Sequence, residues 1–415
     1  MARAASQLTW WGRPGLDVRA GRLSIAGRDA ETIAREHGTP LYVYDLVRAE
    51  EQVRALQGAL GHAGLRHKVR LALKAQREPA FLASLRGLGA PGTPESIGMD
   101  VCSPGEIRWA MDHGWTAEEI SYTGTNMSAR DLDVVLEAGV HLNVDLLSQL
   151  DRVGRRAPGS SVGVRINPRI GAAFPGGGQS YAGDRPTKFG IYPEQLGEAL
   201  DIAHARDLTI DTVHVHAGYL YLTDALPVVD ETMRRVAAAA RVLMDAGCPV
   251  VEVNTGGGLG VRFRPTDHPL DLDAWAGVLA HHLGPLDVVV GTEPGEFLAK
   301  ECAVHLAEVV SVEDRDGTTF VGLDTGWNVM NEHFVYKIPF HPILCRAADA
   351  EPVANVTVSG HINEGNDLFA EGHPMPEVEE GDIVAIPNVG SYNASMVSVH
   401  CLRPEASSVF FTDRT

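Results

Sequence analysis

Cysteine is scarce in this chain: Cys102, Cys248, Cys302, Cys345 and Cys401 are five in number, scattered, and form no C-x-x-C pair. That pattern predicts reduced thiols in a cytoplasmic protein and argues against a structural zinc site. Long apolar runs are missing as well. None approaches the length of a membrane span, and Met1-Ala2-Arg3-Ala4 leads into polar residues rather than a signal core. Positive charge is in deficit, with 35 Lys and Arg against 54 Asp and Glu and a net charge of −19. Nucleic acid and anionic membranes are therefore poor partners, although the balance says nothing about charge inside a cleft. No repeat, low-complexity tract or long linker is evident. What remains is a 415-residue chain, 44% hydrophobic and 21% charged, long enough for two domains with a sizeable core.

Between residues 70 and 293 short apolar strands alternate with helical stretches. Strands are expected at Arg70–Ala75, Met99–Ser103, Ile120–Gly124, His141–Asp145, Val162–Asn167, Thr212–His216, Val250–Asn254 and Asp287–Glu293. Helices are expected between them, for example Pro104–His113, Ala129–Ala138, Pro193–Ala205, Thr223–Ala246 and Leu272–Leu283. Pro104 and Pro193 suit a first helical turn, and Gly139 and Gly247 suit the residue after a last one. Eight strands with intervening helices predict a (β/α)8 TIM barrel. A doubly wound open sheet would place its glycine-rich turn after the first strand, whereas here the turn follows the seventh.

Past Glu293 the texture changes to short strands punctuated by Gly, Asn and Pro, such as Val304–Val310, Thr319–Leu323, Val353–Ser359 and Asp382–Ile386. This predicts a C-terminal β domain of sandwich or barrel type, completed by the N-terminal strands Leu16–Ile25 and Leu41–Tyr44. The expected division is 1–45 for the N-terminal strands, 46–297 for the barrel and 298–415 for the C-terminal domain. The stretch Phe174-Pro175-Gly176-Gly177-Gly178-Gln179-Ser180 reads as a mobile loop or lid.

Barrel active sites lie at the C-terminal ends of the strands. Lys74 ends an apolar alternating run that reads as a buried strand. Burial favours its neutral amine, a nucleophile that condenses with carbonyls, while the plain alternative is a lysine snorkelling to water. Thr255-Gly256-Gly257-Gly258-Leu259-Gly260 can close backbone N–H groups around a phosphate, although a tight turn has the same letters. Glu293, at the end of the last apolar strand, can hold a protonated pyridine nitrogen, or pair with an arginine. His216 offers a flat ring for stacking. With His214 on the same strand face it also leaves a zinc site open, but no third ligand with fitting spacing is obvious. Anchoring lysine, phosphate cradle, stacking ring and pyridinium carboxylate together describe a pyridoxal 5′-phosphate site.

The motifs that carry this reading run along nearly the whole chain. They are Trp11-Gly12, Gly38-Thr39-Pro40-Leu41-Tyr42-Val43-Tyr44-Asp45, Leu73-Lys74-Ala75 and Asp100-Val101-Cys102-Ser103-Pro104-Gly105-Glu106. Asn143-Val144-Asp145, Arg165-Ile166-Asn167-Pro168, Lys188-Phe189-Gly190 and His214-Val215-His216-Ala217-Gly218 follow. The glycine turn, Glu293-Pro294-Gly295 and Gly390-Ser391-Tyr392 complete the series. In these motifs the chain resembles the diaminopimelate/ornithine decarboxylase family of fold-type III pyridoxal phosphate enzymes, relatives of alanine racemase. The resemblance implies that Lys74 carries the cofactor, that His216 stacks on its ring and that Glu293 partners the ring nitrogen. It implies phosphate contacts from Gly256, Gly257, Gly258 and Tyr392, with Asp100 and Arg165 around the lysine and ring. It also implies a head-to-tail homodimer in which the partner's C-terminal domain closes each barrel mouth.

Several positions depart from the family pattern. Where the family has a cysteine acid reaching in from the partner subunit, this chain has Asn363, which is no acid. His361, Tyr392, Lys74 or water then remain as proton sources. Glu296 stands where diaminopimelate decarboxylases place an arginine after Glu-Pro-Gly. The family's Arg-Pro-x-x-Tyr appears as Glu332-His333-Phe334-Val335-Tyr336. Two positions expected to hold a distal substrate carboxylate have thus changed sign, a repulsive arrangement unless Lys337 reverses it locally. Glu364 sits where diamine-forming relatives meet a distal ammonium. Tyr219 replaces a phosphate-contacting serine, and Gln76 replaces the usual asparagine. The resulting expectation is a pyridoxal phosphate-dependent decarboxylase of an unusual amino acid or conjugate, in antibiotic or siderophore assembly, with meso-diaminopimelate excluded. A racemase, epimerase or carbon–carbon bond-forming enzyme on the same fold, and a non-catalytic regulatory homologue, are the alternatives.

Overall fold

The computed structural model describes residues 9–172, 174, 181–183 and 185–415. A hairpin opens the chain. β1 (Leu16–Arg19) and β2 (Arg22–Ile25) pair antiparallel, and β3 (Arg28–Asp29) pairs with β2. The Ala20-Gly21 turn has positive φ at both residues (51° and 81°), the geometry of a two-residue hairpin whose twist matches its strands. That tight pairing keeps Leu16–Ile25 in a three-stranded sheet of its own, instead of inserting it into the C-terminal sheet as expected. Leu16, Leu23 and Ile25, with Trp10 and Trp11, still bury themselves against Leu41, Val43, Val304, Leu306 and Ile383 of that sheet.

After β4 (Leu41–Asp45) and the helix Leu46–His62 come the eight barrel strands. They are β5 (His67–Ala72), β6 (Ile97–Val101), β7 (Ile120–Thr123), β8 (His141–Val144), β9 (Ser161–Ile166), β10 (Thr209–Val215), β11 (Glu252–Asn254) and β12 (Val289–Thr292). All pair in parallel, and β12 closes on β5 through the register Thr292↔Val69. Each predicted strand is present, with shifts of a few residues at its ends. The helices wrap the outside: Leu226–Asp245 buries Val229, Met233, Val236, Ala240 and Leu243, the three-and-four spacing of an amphipathic helix. Ser103 caps the helix Pro104–Asp112, and Gly139 ends Ala129–Ala138 in a left-handed conformation.

The barrel interior is unusually polar. Arg70 and Glu252 form a buried bidentate pair at 2.6 and 3.1 Å, and Asn143 is fully buried beside Ser121 and Thr123. Glycines make room for these groups. A Cβ at Gly163 would lie 2.0 Å from Asn143 Oδ1, and one at Gly291 would lie 2.4 Å from Glu252 Oε1.

The chain then enters a second sheet. β13 (Ala303–Arg315) pairs antiparallel with β14 (Thr318–Leu323), β18 (Ile383–Pro387) and β4. β15 (Ile343–Leu344), β16 (Ala354–Ser359) and β17 (Leu368–Met375) extend it, and β19 (Ser407–Phe411) adds to β4. The protein is thus a closed parallel eight-stranded barrel followed by a sheet-rich second unit, which takes one strand from before the barrel. Of the expected lid, only Phe174 lies among the described residues, and it is buried with its ring 6.0 Å from that of Phe263.

A charged cavity at the barrel mouth

A cavity of about 280 Å³ opens where the sequence reading placed the site. Lys74, Asp100, Arg165, His216, Gly257, Gly258, Glu293, Glu296, Glu332, Tyr336 and Tyr392 all line it. Gly256 does not line it, and its N–H is taken by Asn254 Oδ1 at 3.0 Å. Asn363 and Glu364 do not take part: both are exposed, and Glu364 pairs instead with His400 at 3.0 Å.

Lys74 corrects the initial reading in two respects. β5 ends at Ala72, so the lysine sits in the following turn with its side chain open to the cavity rather than sealed in a strand. That turn is clamped to the second unit, because Tyr392 N–H donates to Ala75 C=O at 2.8 Å and Gln76 Nε2 donates to Gly390 C=O at 2.7 Å. Its protonation also differs from the expected neutral amine. Surrounding protein favours the neutral form, but the negative charge of Asp100, and more distantly Glu293, outweighs it and raises the amine's pKa. Lys74 makes no hydrogen bond or ion pair among the described residues. Burial and Glu293 push Asp100 the other way, well above an ordinary carboxyl, with Lys74 pulling it back; its Oδ1 has no partner.

Glu293 is held ionised. Burial would raise it, but His214 and the charge of Arg70, helped by the Asn254 amide, outweigh burial and bring it down to about 2. The geometry is direct: His214 Nε2 donates to Oε2 at 2.9 Å and Asn254 Nδ2 donates to Oε1 at 2.5 Å. His214 is therefore committed to the carboxylate, which removes it from the zinc alternative. Among the described residues no group of three or more His, Cys, Asp or Glu could hold a metal ion. His216 stays neutral, because burial and the cations Lys74 and Arg165 lower its pKa well below the usual value. Its Nδ1 accepts from Gly257 N–H at 3.3 Å, and Tyr181 packs edge-on at 4.6 Å. Arg165 spans Asp145 Oδ1 at 3.3 Å and the Phe189 ring at 4.5 Å.

The glycine turn is more committed to the protein than its letters suggest. Gly256 N–H donates to Asn254 Oδ1 and Gly257 N–H to His216, leaving Gly258 N–H without an acceptor among the described residues. Gly258 has φ 107° and a Cβ there would lie 2.7 Å from the Tyr221 ring, so only glycine fits.

Sequence reasoning gave no role to Cys102, Asn254 or Lys300 and weighed His214 only as a metal ligand. Cys102 lines the cavity, its thiol pushed up to about 12 by burial and by Glu106. Asn254 and His214 serve Glu293. Lys300, fully buried, pairs with Glu332 and sits 3.4 Å from Glu296 Oε1. Its place four residues after Glu296 was a readable signal for the last of these.

An unpaired charged lysine, an ionised buried carboxylate, a neutral flat ring and a free backbone N–H in one cavity fit a pyridoxal phosphate group. They define a barrel enzyme built to anchor a carbonyl cofactor. Comparison with known proteins agrees. The sequence profile of the family described as "Pyridoxal-dependent decarboxylase, pyridoxal binding domain" matches residues 46–300. A diaminopimelate decarboxylase from Methanothermobacter thermautotrophicus is 32% identical, the match covering 95% of this chain and 92% of that one. The solved diaminopimelate decarboxylase of Helicobacter pylori, complexed with L-lysine, is 26% identical with TM-score 0.81, covering 92% of this chain and 93% of the other. That of M. jannaschii, in co-complex with L-lysine, is 26% identical with TM-score 0.82, covering 95% and 92%. The chain belongs to the pyridoxal-dependent decarboxylases, carboxy-lyases whose cofactor is pyridoxal 5′-phosphate.

These relatives overturn the expectation that meso-diaminopimelate is excluded, since the similar proteins are themselves diaminopimelate decarboxylases. The physical reason is Lys300. The sign argument counted Glu296 and Glu332 as two bare negative charges, whereas both share one buried ammonium. Burial, with Glu296 nearby, also pushes Glu332 up to about 8 despite the opposing pull of Lys300. Burial therefore works against a full negative charge on this group. The expectation of antibiotic or siderophore assembly rested on all the departures together, Asn363 and Tyr219 included, and these relatives do not bear on it.

Proposed function

We propose that this protein decarboxylates diaminopimelate at one end and releases lysine. The observation that carries the reading is the unpaired, charged Lys74 facing Glu293, His216 and Arg165 in one cavity, in a chain whose relatives carry that activity. Lys74 would hold the cofactor, His216 would stack on its ring and Glu293 would face the ring nitrogen. Gly258, Gly257 and Tyr392 would meet the phosphate, with Gly256 shaping the turn, while Asp100 and Arg165 set the charge around the lysine. Bound there, pyridoxal phosphate supplies an electron sink for the pair left when a carboxylate departs.

The protein's own part is positional and electrostatic. Glu293, kept ionised by His214 and Asn254, stabilises positive charge on a group above it. His216, kept neutral, presents a flat face without competing for protons. Lys74 Nζ holds a proton at neutral pH and can return it to a substrate atom. Tyr181 and Phe189 narrow the mouth against water.

Asn363 and Glu364 enter this reading through a second copy of the chain. We take the active form to be a homodimer in which the 360–367 segment of one subunit closes the cavity of the other. This is supported by the exposure of both residues outside the chain's own cavity. Five free cysteines and the lack, among the described residues, of a helix long and apolar enough to cross a membrane favour a cytoplasmic setting. The division into 1–45, 46–297 and 298–415 is retained as the domain proposal.

The test is direct. Holoenzyme incubated with meso-diaminopimelate should yield carbon dioxide and lysine in equal amounts by mass spectrometry. Unchanged diaminopimelate alongside bound cofactor would refute the substrate assignment.

A further inference from the structure

The cavity carries acids that the cofactor does not use. Glu296 and Glu332 line its wall, and Lys300 lies behind them, fully buried. The Lys300 ammonium donates to Glu332 Oε2 and to Ser391 C=O at 2.8 Å, and it lies 3.4 Å from Glu296 Oε1, an ion-pair distance without a hydrogen bond. Glu296 Oε2 accepts from Ser391 Oγ at 2.9 Å, and Glu332 Oε2 accepts from Asn393 Nδ2 at 3.1 Å. Among the described residues neither Glu296 Oε1 nor Glu332 Oε1 has a hydrogen-bond partner, although Glu332 is only 1% exposed. A buried carboxyl oxygen with no donor is costly unless something arrives to meet it.

The charge count points to what arrives. Two carboxyls and one ammonium carry an excess of one negative charge when fully ionised, and burial works against that excess by favouring a proton on Glu332. Among the described residues Lys300 and the Asn393 amide bond Glu332, while Glu296, Tyr42, Tyr336 and Tyr392 interact with it electrostatically, so Lys300 is the single cation of this set. An incoming anion finds no free cation here. An incoming ammonium can replace a proton on Glu332 and meet carboxyl oxygens that lack a donor among the described residues.

We propose that Glu296 and Glu332 receive the distal ammonium of a diamino-acid substrate, and that its arrival expels a proton held on Glu332. This deepens the decarboxylase reading and rests on it, because it names the element that recognises the end of the substrate remote from the reaction. It also gives the acids a role within the chain itself, independent of any residue from a second subunit.

The experiment compares two ligands on the pyridoxal phosphate-loaded enzyme. L-Lysine carries the distal ammonium; L-norleucine has the same carbon chain without it. Calorimetry at pH 7 in phosphate and in Tris, whose ionisation heats differ, counts protons released on binding. Lysine should release more protons than norleucine, the excess approaching one, because proton movements at the α-amino group are common to both. Glu332→Gln should weaken lysine binding about tenfold, as expected for a charge-assisted hydrogen bond, and leave norleucine nearly unchanged. Equal proton counts for the two ligands in the unmodified enzyme, or equal weakening of both by the substitution, would overturn the proposal. The proton count needs no variant, so it decides even if Glu332→Gln misfolds. A lysine-specific proton release in an enzyme that leaves diaminopimelate unchanged would retain this subsite and discard the proposed reaction.

Discussion

Replacing Lys300 with methionine isolates the energetics of the acid cluster. The substitution keeps a long side chain of similar reach but removes the ammonium that serves Glu332, Glu296 and the Ser391 carbonyl. Breaking a buried pair by deleting one partner costs about 3–5 kcal/mol, because the other charge stays buried and unpaired. The melting temperature should fall by roughly 10 °C on the usual scaling for domains of moderate size. The pH dependence is the sharper part. With Lys300 present, Glu332 already titrates at about 8, above its value of 4.5 in an unfolded chain. A raised carboxyl contributes stability that is fully present below 4.5 and is lost as pH rises through 8. Without the ammonium both carboxyls are pushed further up, and each retained proton costs up to about 1.4 kcal/mol per pH unit. The stability gap between Lys300→Met and the unmodified protein should therefore widen from pH 6 to pH 9 in urea unfolding. The double variant Lys300→Met with Glu332→Gln should recover part of the loss. A gap under about 1 kcal/mol, or one that stays constant with pH, would show that Lys300 does not neutralise these acids.

Three further outcomes follow from the same structure. Lys74→Ala should abolish both activity and the visible absorbance of the covalently held cofactor while leaving the melting temperature of the cofactor-free protein nearly unchanged, since Lys74 makes no hydrogen bond or ion pair among the described residues and Asp100 can take up a proton in its absence. Glu293→Gln should lower the catalytic constant on the order of 10²-fold, the usual cost of removing one preorganised electrostatic contact; retention of full activity would detach this carboxylate from the cofactor. Gly163→Ala places a Cβ 2.0 Å from Asn143 Oδ1 in the barrel interior, and denaturant titration should show a loss of about 1–3 kcal/mol from overpacking.

The barrel and the cofactor half of the cavity were legible because a barrel projects chemistry at predictable places. Once Asp100, Arg165, His216 and Glu293 fall at strand ends, closure of the sheet brings them together whatever the loops do. Lys74 shows the limit of that reasoning. Its position was readable, but its charge depends on Asp100, which stands 26 residues further along the chain and reaches it only across β5 and β6. The hairpin β1–β2 shows another limit: Leu16–Ile25 has strand character, yet the Ala20-Gly21 turn decides which sheet the strands join.

The substrate half failed for a reason that extends to other families. Comparing one position at a time assigns a sign to each residue, as though Glu296 and Glu332 met the substrate alone. A buried site is instead neutralised as a group, by cations and protons that no single position reveals. Lys300 supplies the cation, one helical turn from Glu296 and 32 residues from Glu332. The retained proton supplies the rest. Exchanging arginine for glutamate at a cavity wall therefore need not reverse the charge the ligand meets. It changes which neighbour carries the compensation, and whether the compensation can leave when the ligand comes. A fixed arginine can only attract an anion. A carboxyl pair holding one mobile proton can present a neutral wall to a carboxylate-bearing substrate and a negative one to its ammonium, so a site with inverted signs can keep a zwitterionic end within reach.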